Sequence, residues 1–207
     1  MNPVGRPKGQ ADKRALLIDA ARQLFSVRPY ANVSTRQLAA HAGVNASLIR
    51  YYFQDKAGLF SAMIIETFDP ILTHLKRTTA PDETAIAEMI PLYYQVMQRA
   101  PDIPKLLLRT LWDPHCDEYR LVAPVFQRLL DHLVPLLDGL LAQSNIAAPF
   151  SPQLVRISLM SLAIFPFLAP DMVLQRLGLS LDRAWLDTLG EQNKQLICHG
   201  LSLGEAQ

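Results

Sequence analysis

The chain has 207 residues, half of them hydrophobic, which is ample for one or two packed cores. Fifteen prolines against nine glycines, long Leu-, Ala- and Arg-rich runs and no sustained period-two alternation exclude a sheet protein and predict an all-α fold of about nine helices. The net charge is only +1, but it is unevenly spread: residues 1–60 hold nine Lys and Arg against three Asp, net +6, and the remainder is net −5. A basic head on an acidic body is what contact with nucleic acid at one end of a molecule requires.

The first ten residues, MNPVGRPKGQ, form a basic, Pro- and Gly-rich arm with nothing to bury, and are expected to be flexible. Arg6 and Lys8 sit there in a short extended pattern of the kind that lays Arg into an A·T-rich minor groove; the alternative is a solvated tail that only adds charge. From Ala11 to Val27 the spacing of Leu17, Ala21, Leu24 and Phe25 predicts a first helix, which Pro29 stops.

The stretch from Val33 to Lys56 holds two short helical patterns around a tight break. Ser34 with Gln37 three places on has the spacing of a capping box. Leu38, Ala39 and Ala42 give the first of these helices its apolar face, and Gly43 ends it where a left-handed residue is needed. Asn45 is placed to cap the second helix, and Ile49 and Phe53 face inward. Ala46, Ser47, Arg50 and, at the flank, Tyr51 are thereby left outward, while Leu48 reads either way. This is the layout of a DNA-reading helix-turn-helix spanning about residues 11–56 with its supporting first helix.

Pro29-Tyr30, Ser34 to Ala39, Ala42-Gly43-Val44 and Tyr51-Tyr52-Phe53 followed by Lys56 together resemble the DNA-binding end of the tetracycline-repressor (TetR) family of bacterial transcription regulators. Pro29 stands where that family usually has Gly, Val33 where Thr is common, and Arg50 where an aromatic residue is common. The resemblance implies that Thr35 and Arg36, with Ser34 and Asn45 at the helix starts, lie against DNA. Ala46, Ser47 and Arg50 are expected to read bases, and Tyr51, Tyr52 and Lys56 to grip phosphates, with at least one of the two tyrosines expected to be core instead.

Residues 57–207 then form the body. A fourth helix starts at Asp55-Lys56, with Leu59, Phe60, Met63, Ile64 and Thr67 inward, and runs to about residue 77. Further helices are expected at about 82–99, 104–113, 118–143, 152–168 and 182–201, with kinks or a break at Pro124 and Pro135 and an N-cap at Ser151-Pro152. Tyr93, Tyr94, Met97, Leu108, Arg109, Trp112, His115, Phe126 and Met160 are the candidates for lining an effector pocket, though residues of these types at helical spacing also serve as plain core. A small, largely apolar effector would suit such a lining. Leu154, Ile157, Ser158, Ser161, Leu162 and Phe165 form one apolar stripe, and Trp185, Leu189, Leu196 and Ile197 part of another. In the TetR family such helices pair across a two-fold axis, and two recognition helices one DNA turn apart need a symmetric partner.

The partners expected are therefore double-stranded DNA, a second copy of the chain and a small-molecule effector, with no cofactor and no metal. The doublets His115-Cys116 and Cys198-His199 hold soft ligands, but adjacent helical side chains diverge by about 100°. Asp113, His115 and Cys116 include the types needed for a thiol nucleophile, with nothing to orient them. The polar N-terminus lacks a signal-peptide core, the stretch Ile157 to Pro170 is too short to span a bilayer, and two cysteines without a motif suit a reducing cytoplasm. The expected function is a ligand-responsive regulator, most simply a repressor released from a palindromic operator. The alternatives are an enzyme or ligand carrier using the body, or a DNA-binding regulator without an effector.

Overall fold

A computed structural model describes residues 8–77, 85–116, 118–143 and 151–200. Among them are ten α-helices and no strand: α1 Lys8–Val27, α2 Thr35–His41, α3 Ser47–Phe53, α4 Lys56–Arg77, α5 Ala85–Met97, α6 Ile103–Leu111, α7 Tyr119–Gln143, α8 Pro152–Leu168, α9 Asp171–Arg176 and α10 Arg183–Gly200. A 3-10 turn covers Tyr30–Asn32. The all-α reading holds, and the helix missed is α9, whose six residues are too few to establish a period.

Arg6 lies outside the described residues, whereas Lys8, Gly9 and Gln10 already belong to α1. No break interrupts α7 at Pro124 or Pro135, and α4, α5 and α8 run through Pro70, Pro91 and Pro166. An internal proline costs about 3 kcal/mol, and burial of a large apolar side chain returns about 1.5–3 kcal/mol. α4 alone buries Leu59, Phe60, Met63, Ile64 and Ile71, so packing overrides the local penalty at Pro70.

The chain divides into two compact units, one made of residues up to Thr67 with Leu106–Phe126, the other of Phe68–Lys105 with the residues from Gln127 on. In the first, α1, α2 and α3 pack pairwise. Leu17, Ile18, Ala21 and Phe25 of α1, Leu38 and Ala39 of α2, Ile49 and Phe53 of α3, and the start of α4 fill its core. Polar links tie α1 to α4: Arg14 pairs with Glu66, and Arg22 Nε donates to Thr67 Oγ1 at 3.2 Å. The Thr67 hydroxyl passes its own proton to Met63 O at 2.8 Å, so this buried group is satisfied on both sides.

In the second unit α5 packs along α10 and against α8. Ile86, Ile90, Tyr94 and Met97 of α5, Val155, Leu159 and Phe167 of α8, and Leu186 and Ile197 of α10 are buried. Ile197, expected on a face for a second copy, is thus core of its own chain. Lys194 pairs with Glu88, and Gln98 Nε2 donates to Asp187 Oδ1 at 3.0 Å, joining α10 to α5 at both ends of their contact. No helix among the described residues is long and apolar enough to cross a membrane.

Candidate nucleic-acid interface

The α2–turn–α3 segment is shaped by local chemistry. Gln37 N–H donates to Ser34 Oγ at 3.2 Å, and Ser34 N–H donates to Gln37 Oε1 at 2.8 Å, completing the capping box that opens α2. Gly43 then takes φ +65°, the left-handed turn that a Cβ disfavours. Ala46, rather than Asn45, is the N-cap residue of α3, yet the Asn45 side chain still performs the capping: its Oδ1 accepts from Ser47 N–H at 2.8 Å. Ile49 and Phe53 are buried, which turns Ser47, Arg50 and Tyr51 to the outside; Tyr51 is 69% exposed, and Ala46 and Leu48 are half-buried. Tyr52 is half-buried and meets Tyr51 edge-on at 4.8 Å, so neither tyrosine is core, contrary to expectation.

Arg36 on α2 and Arg50 on α3 are exposed and make no hydrogen bond or ion pair among the described residues. Thr35 is half-buried beside Arg36. Ser34 is exposed, but its hydroxyl is spent on the capping box, donating to Gln37 Oε1 at 3.0 Å as well as accepting. Arg14 and Arg22 are equally cationic, but the ion pairs with Glu66 and Asp19 hold them within the unit.

Lys56 is engaged within the fold. Its ammonium donates to Tyr30 O and Val33 O, both at 3.0 Å, and lies 3.9 Å from the centre of the Tyr30 ring. With two of its three donors spent on the loop ahead of α2, it latches that loop in place. Burial lowers its pKa, and the nearby Glu118 carboxylate opposes that shift. The Tyr30 ring stacks on Phe25 at 5.5 Å and meets Phe60 edge-on at 5.2 Å; burial, then Asp55 and Glu118, raise its hydroxyl pKa. A second device holds α4 against α3. A Cβ on Gly58 would stand 1.9 Å from Phe53 O, so only glycine fits there, and Gly58 N–H donates to Asp55 Oδ1 at 2.7 Å.

The effector candidates are divided between the two units. Tyr93, Tyr94, Met97 and Met160 belong to the second unit, and Leu108, Arg109, Trp112, His115 and Phe126 to the first. Tyr94 and Met97 are core, whereas Trp112 is 78% exposed, and Arg109, His115 and Met160 also face outward. Leu108, Phe126 and Tyr93 are half-buried. Tyr93 and Tyr94 each meet Phe167 edge-on at 5.8 Å. Burial raises both hydroxyl pKa values, that of Tyr94 to about 12. Of the residues expected at a dimer face, Leu154, Ile157, Ser158, Ser161, Phe165 and Leu196 are exposed, and Leu162, Trp185 and Leu189 are half-buried. Among the described residues no three His, Cys, Asp or Glu gather as metal ligands do.

The first unit therefore holds a helix-turn-helix: two short helices at a glycine turn, buttressed by α1 and α4, with an outward face on the second. Residues 17–63 match the model of the bacterial regulatory proteins of the tetR family. Over 99 residues the chain is 35% identical to the HTH-type transcriptional dual regulator CecR of Shigella flexneri, a match covering 43% of this chain and 44% of CecR. The chain thus spans less than half of that relative's length. Its fold resembles FadR of Bacillus subtilis, solved with stearoyl-CoA, with a TM-score of 0.64 and 16% identity over 90% of this chain and 98% of FadR. It equally resembles NalD of Pseudomonas aeruginosa, the secondary repressor of the MexAB-OprM efflux pump, with a TM-score of 0.64 and 18% identity over 93% and 98% of the two chains.

Proposed function

We propose that the protein is a sequence-specific DNA-binding regulator that works as a homodimer and responds to a small molecule. The observation that carries this reading is the outward face of α3, where Ser47, Arg50 and Tyr51 project from a helix whose opposite side is pinned by Ile49 and Phe53. A helix so presented fits the major groove, where an Arg fork matches guanine O6 and N7. Arg36 on α2 supplies a second unspent cation suited to a phosphate.

Residues 11–56 are the DNA-binding head in this reading, and residues 57–207 the sensing and pairing body. The exposed apolar side chains of α8 and α10 support pairing: Leu154, Ile157, Phe165 and Leu196 have little reason to face water in an isolated chain. Effector and operator then compete by linkage, each weakening the other's binding by the same factor. α4 supplies residues to both units, Lys56–Thr67 to the first and Phe68–Arg77 to the second, which suits it to carry that coupling. Repression relieved by the effector is the simplest form. The relatives are regulators, and the non-enzymatic reading follows them.

The test is a titration of a selected duplex with Arg50→Ala. Loss of a base contact weakens that duplex by about 1–3 kcal/mol and leaves random DNA nearly unaffected. Equal loss on both would reduce Arg50 to a non-specific charge.

A further inference from the structure

In the second unit the end of α8, Val173 and Leu174 of α9, the turn after it and the first half of α10 line an open cleft of about 430 Å³, within the range of about 300–1,000 Å³ usual for small-molecule sites. Leu162, Phe165, Val173, Leu174, Trp185 and Leu189 form its apolar walls. No Lys, Arg, His, Asp or Glu lines it, so it offers a charged ligand no counter-ion. Asp182 fixes one wall by accepting from Trp185 N–H at 2.9 Å.

Asn193 also lines the cleft and is only 4% exposed. Its orientation follows from proton counting. The Tyr94 hydroxyl has one proton and gives it to Leu162 O at 2.7 Å, an oxygen that can only accept. Toward Asn193, 2.9 Å away, the same hydroxyl must therefore accept, which assigns the amide nitrogen to Tyr94. The amide oxygen then points elsewhere and has no hydrogen-bond partner among the described residues. No fully buried side-chain oxygen lacks a partner among the described residues, so this one keeps some exposure, and its residue lines the cleft.

We propose that this cleft binds a small, neutral, mainly apolar molecule carrying one hydrogen-bond donor, which the Asn193 amide oxygen receives. The proposal rests on the ligand-responsive reading above and locates the effector. None of the residues the sequence singles out for a pocket lines it, although Tyr94 bonds two residues that do. Phe165, Trp185 and Leu189 also belong to the face suited to pairing with a second copy, which is the competing occupant.

The experiment uses the full chain with Trp112→Phe, which leaves Trp185, in the cleft wall, as the single tryptophan. Its emission is titrated with 1-decanol and with decyl methyl ether, which lacks the donor. The proposal predicts a saturable shift with the alcohol and about 3- to 10-fold weaker binding of the ether. Val173→Phe, which fills the cleft, weakens both at least tenfold. Asn193→Leu brings alcohol and ether to equal affinity; should it fail to fold, Val173→Phe and the two-probe comparison carry the test. Equal affinity of the two probes in the parent chain, or no saturable response to either, overturns the proposal. An emission change that follows protein concentration alone, without response to either probe, assigns the cleft to a second copy and overturns it too. The titration contains no DNA, so its failure leaves the DNA-binding reading standing, and a failure of DNA binding leaves the cleft standing.

Discussion

The backbone N–H of Tyr30 donates to the carboxylate of Glu118 across 3.0 Å, joining the turn ahead of α2 to the residue before α7. The same turn is held from the other side by Lys56, so a three-residue stretch without a buried residue is fixed by two charged side chains. Removing the acceptor leaves a partly buried N–H without a partner. Glu118→Ala is expected to lower unfolding free energy by about 1–2 kcal/mol, and Glu118→Gln, which keeps an acceptor, by less than half of that. Urea unfolding monitored by circular dichroism checks the order of the three proteins.

Lys56 and Arg36 separate latch from phosphate contact. Lys56→Met strips two carbonyls of their donor, and is expected to destabilise the chain by about 1–3 kcal/mol while leaving the salt dependence of DNA binding unchanged. Arg36→Ala should do the reverse, with stability within about 0.5 kcal/mol and a salt slope shallower by about one. Fluorescence anisotropy across a salt series, beside thermal unfolding, distinguishes them. A shallower slope for Lys56→Met would return it to the DNA surface.

What the sequence discloses here is what is local. The capping box of Ser34 and Gln37, the left-handed Gly43 and the buried pair Ile49 and Phe53 rest on spacings of a few residues, and all appear as expected. Lys56 escaped because the carbonyls it holds, Tyr30 O and Val33 O, are distant in sequence and carry no side-chain signature. Gly58 escaped likewise: its need is the proximity of Phe53 O, which no pattern encodes. Aromatic residues in the body advertised a pocket, but Tyr94 is spent in the core on Leu162 and Asn193. Asn193 drew no notice as one polar residue on an otherwise ordinary helix.

Tyr94 also gives the fold an alkaline limit. Its pKa is raised from 10.0 to about 12 because burial disfavours the phenolate. A group held above its unfolded value binds more protons when folded, so its stabilisation is complete below about pH 10 and is lost as pH rises toward 12. Tyr94→Phe is expected to make the fall of stability over that window shallower by at most about 1.4 kcal/mol per pH unit. At neutral pH the same change costs about 1–3 kcal/mol, because Asn193 loses its acceptor. Denaturant midpoints from pH 7 to 12 measure both.

Self-association is tested on α8. Ile157 and Phe165 are 56% and 63% exposed, so Ile157→Glu with Phe165→Glu should change chain stability little. Placed in a face buried between copies, the two carboxylates would weaken pairing by several kcal/mol. Sedimentation equilibrium is expected to show a dimer for the parent and a monomer for the double variant. A parent that stays monomeric at micromolar concentration would remove the α8 face from the account.

The most direct measurement of the central claim is selection from a pool of random duplexes by the purified chain at two salt concentrations. The account predicts enrichment of a palindrome with half-sites about one helical turn apart, abolished at the enriched positions by Arg50→Ala. Sequence-blind retention that vanishes at the higher salt, or no retention at either, would contradict it.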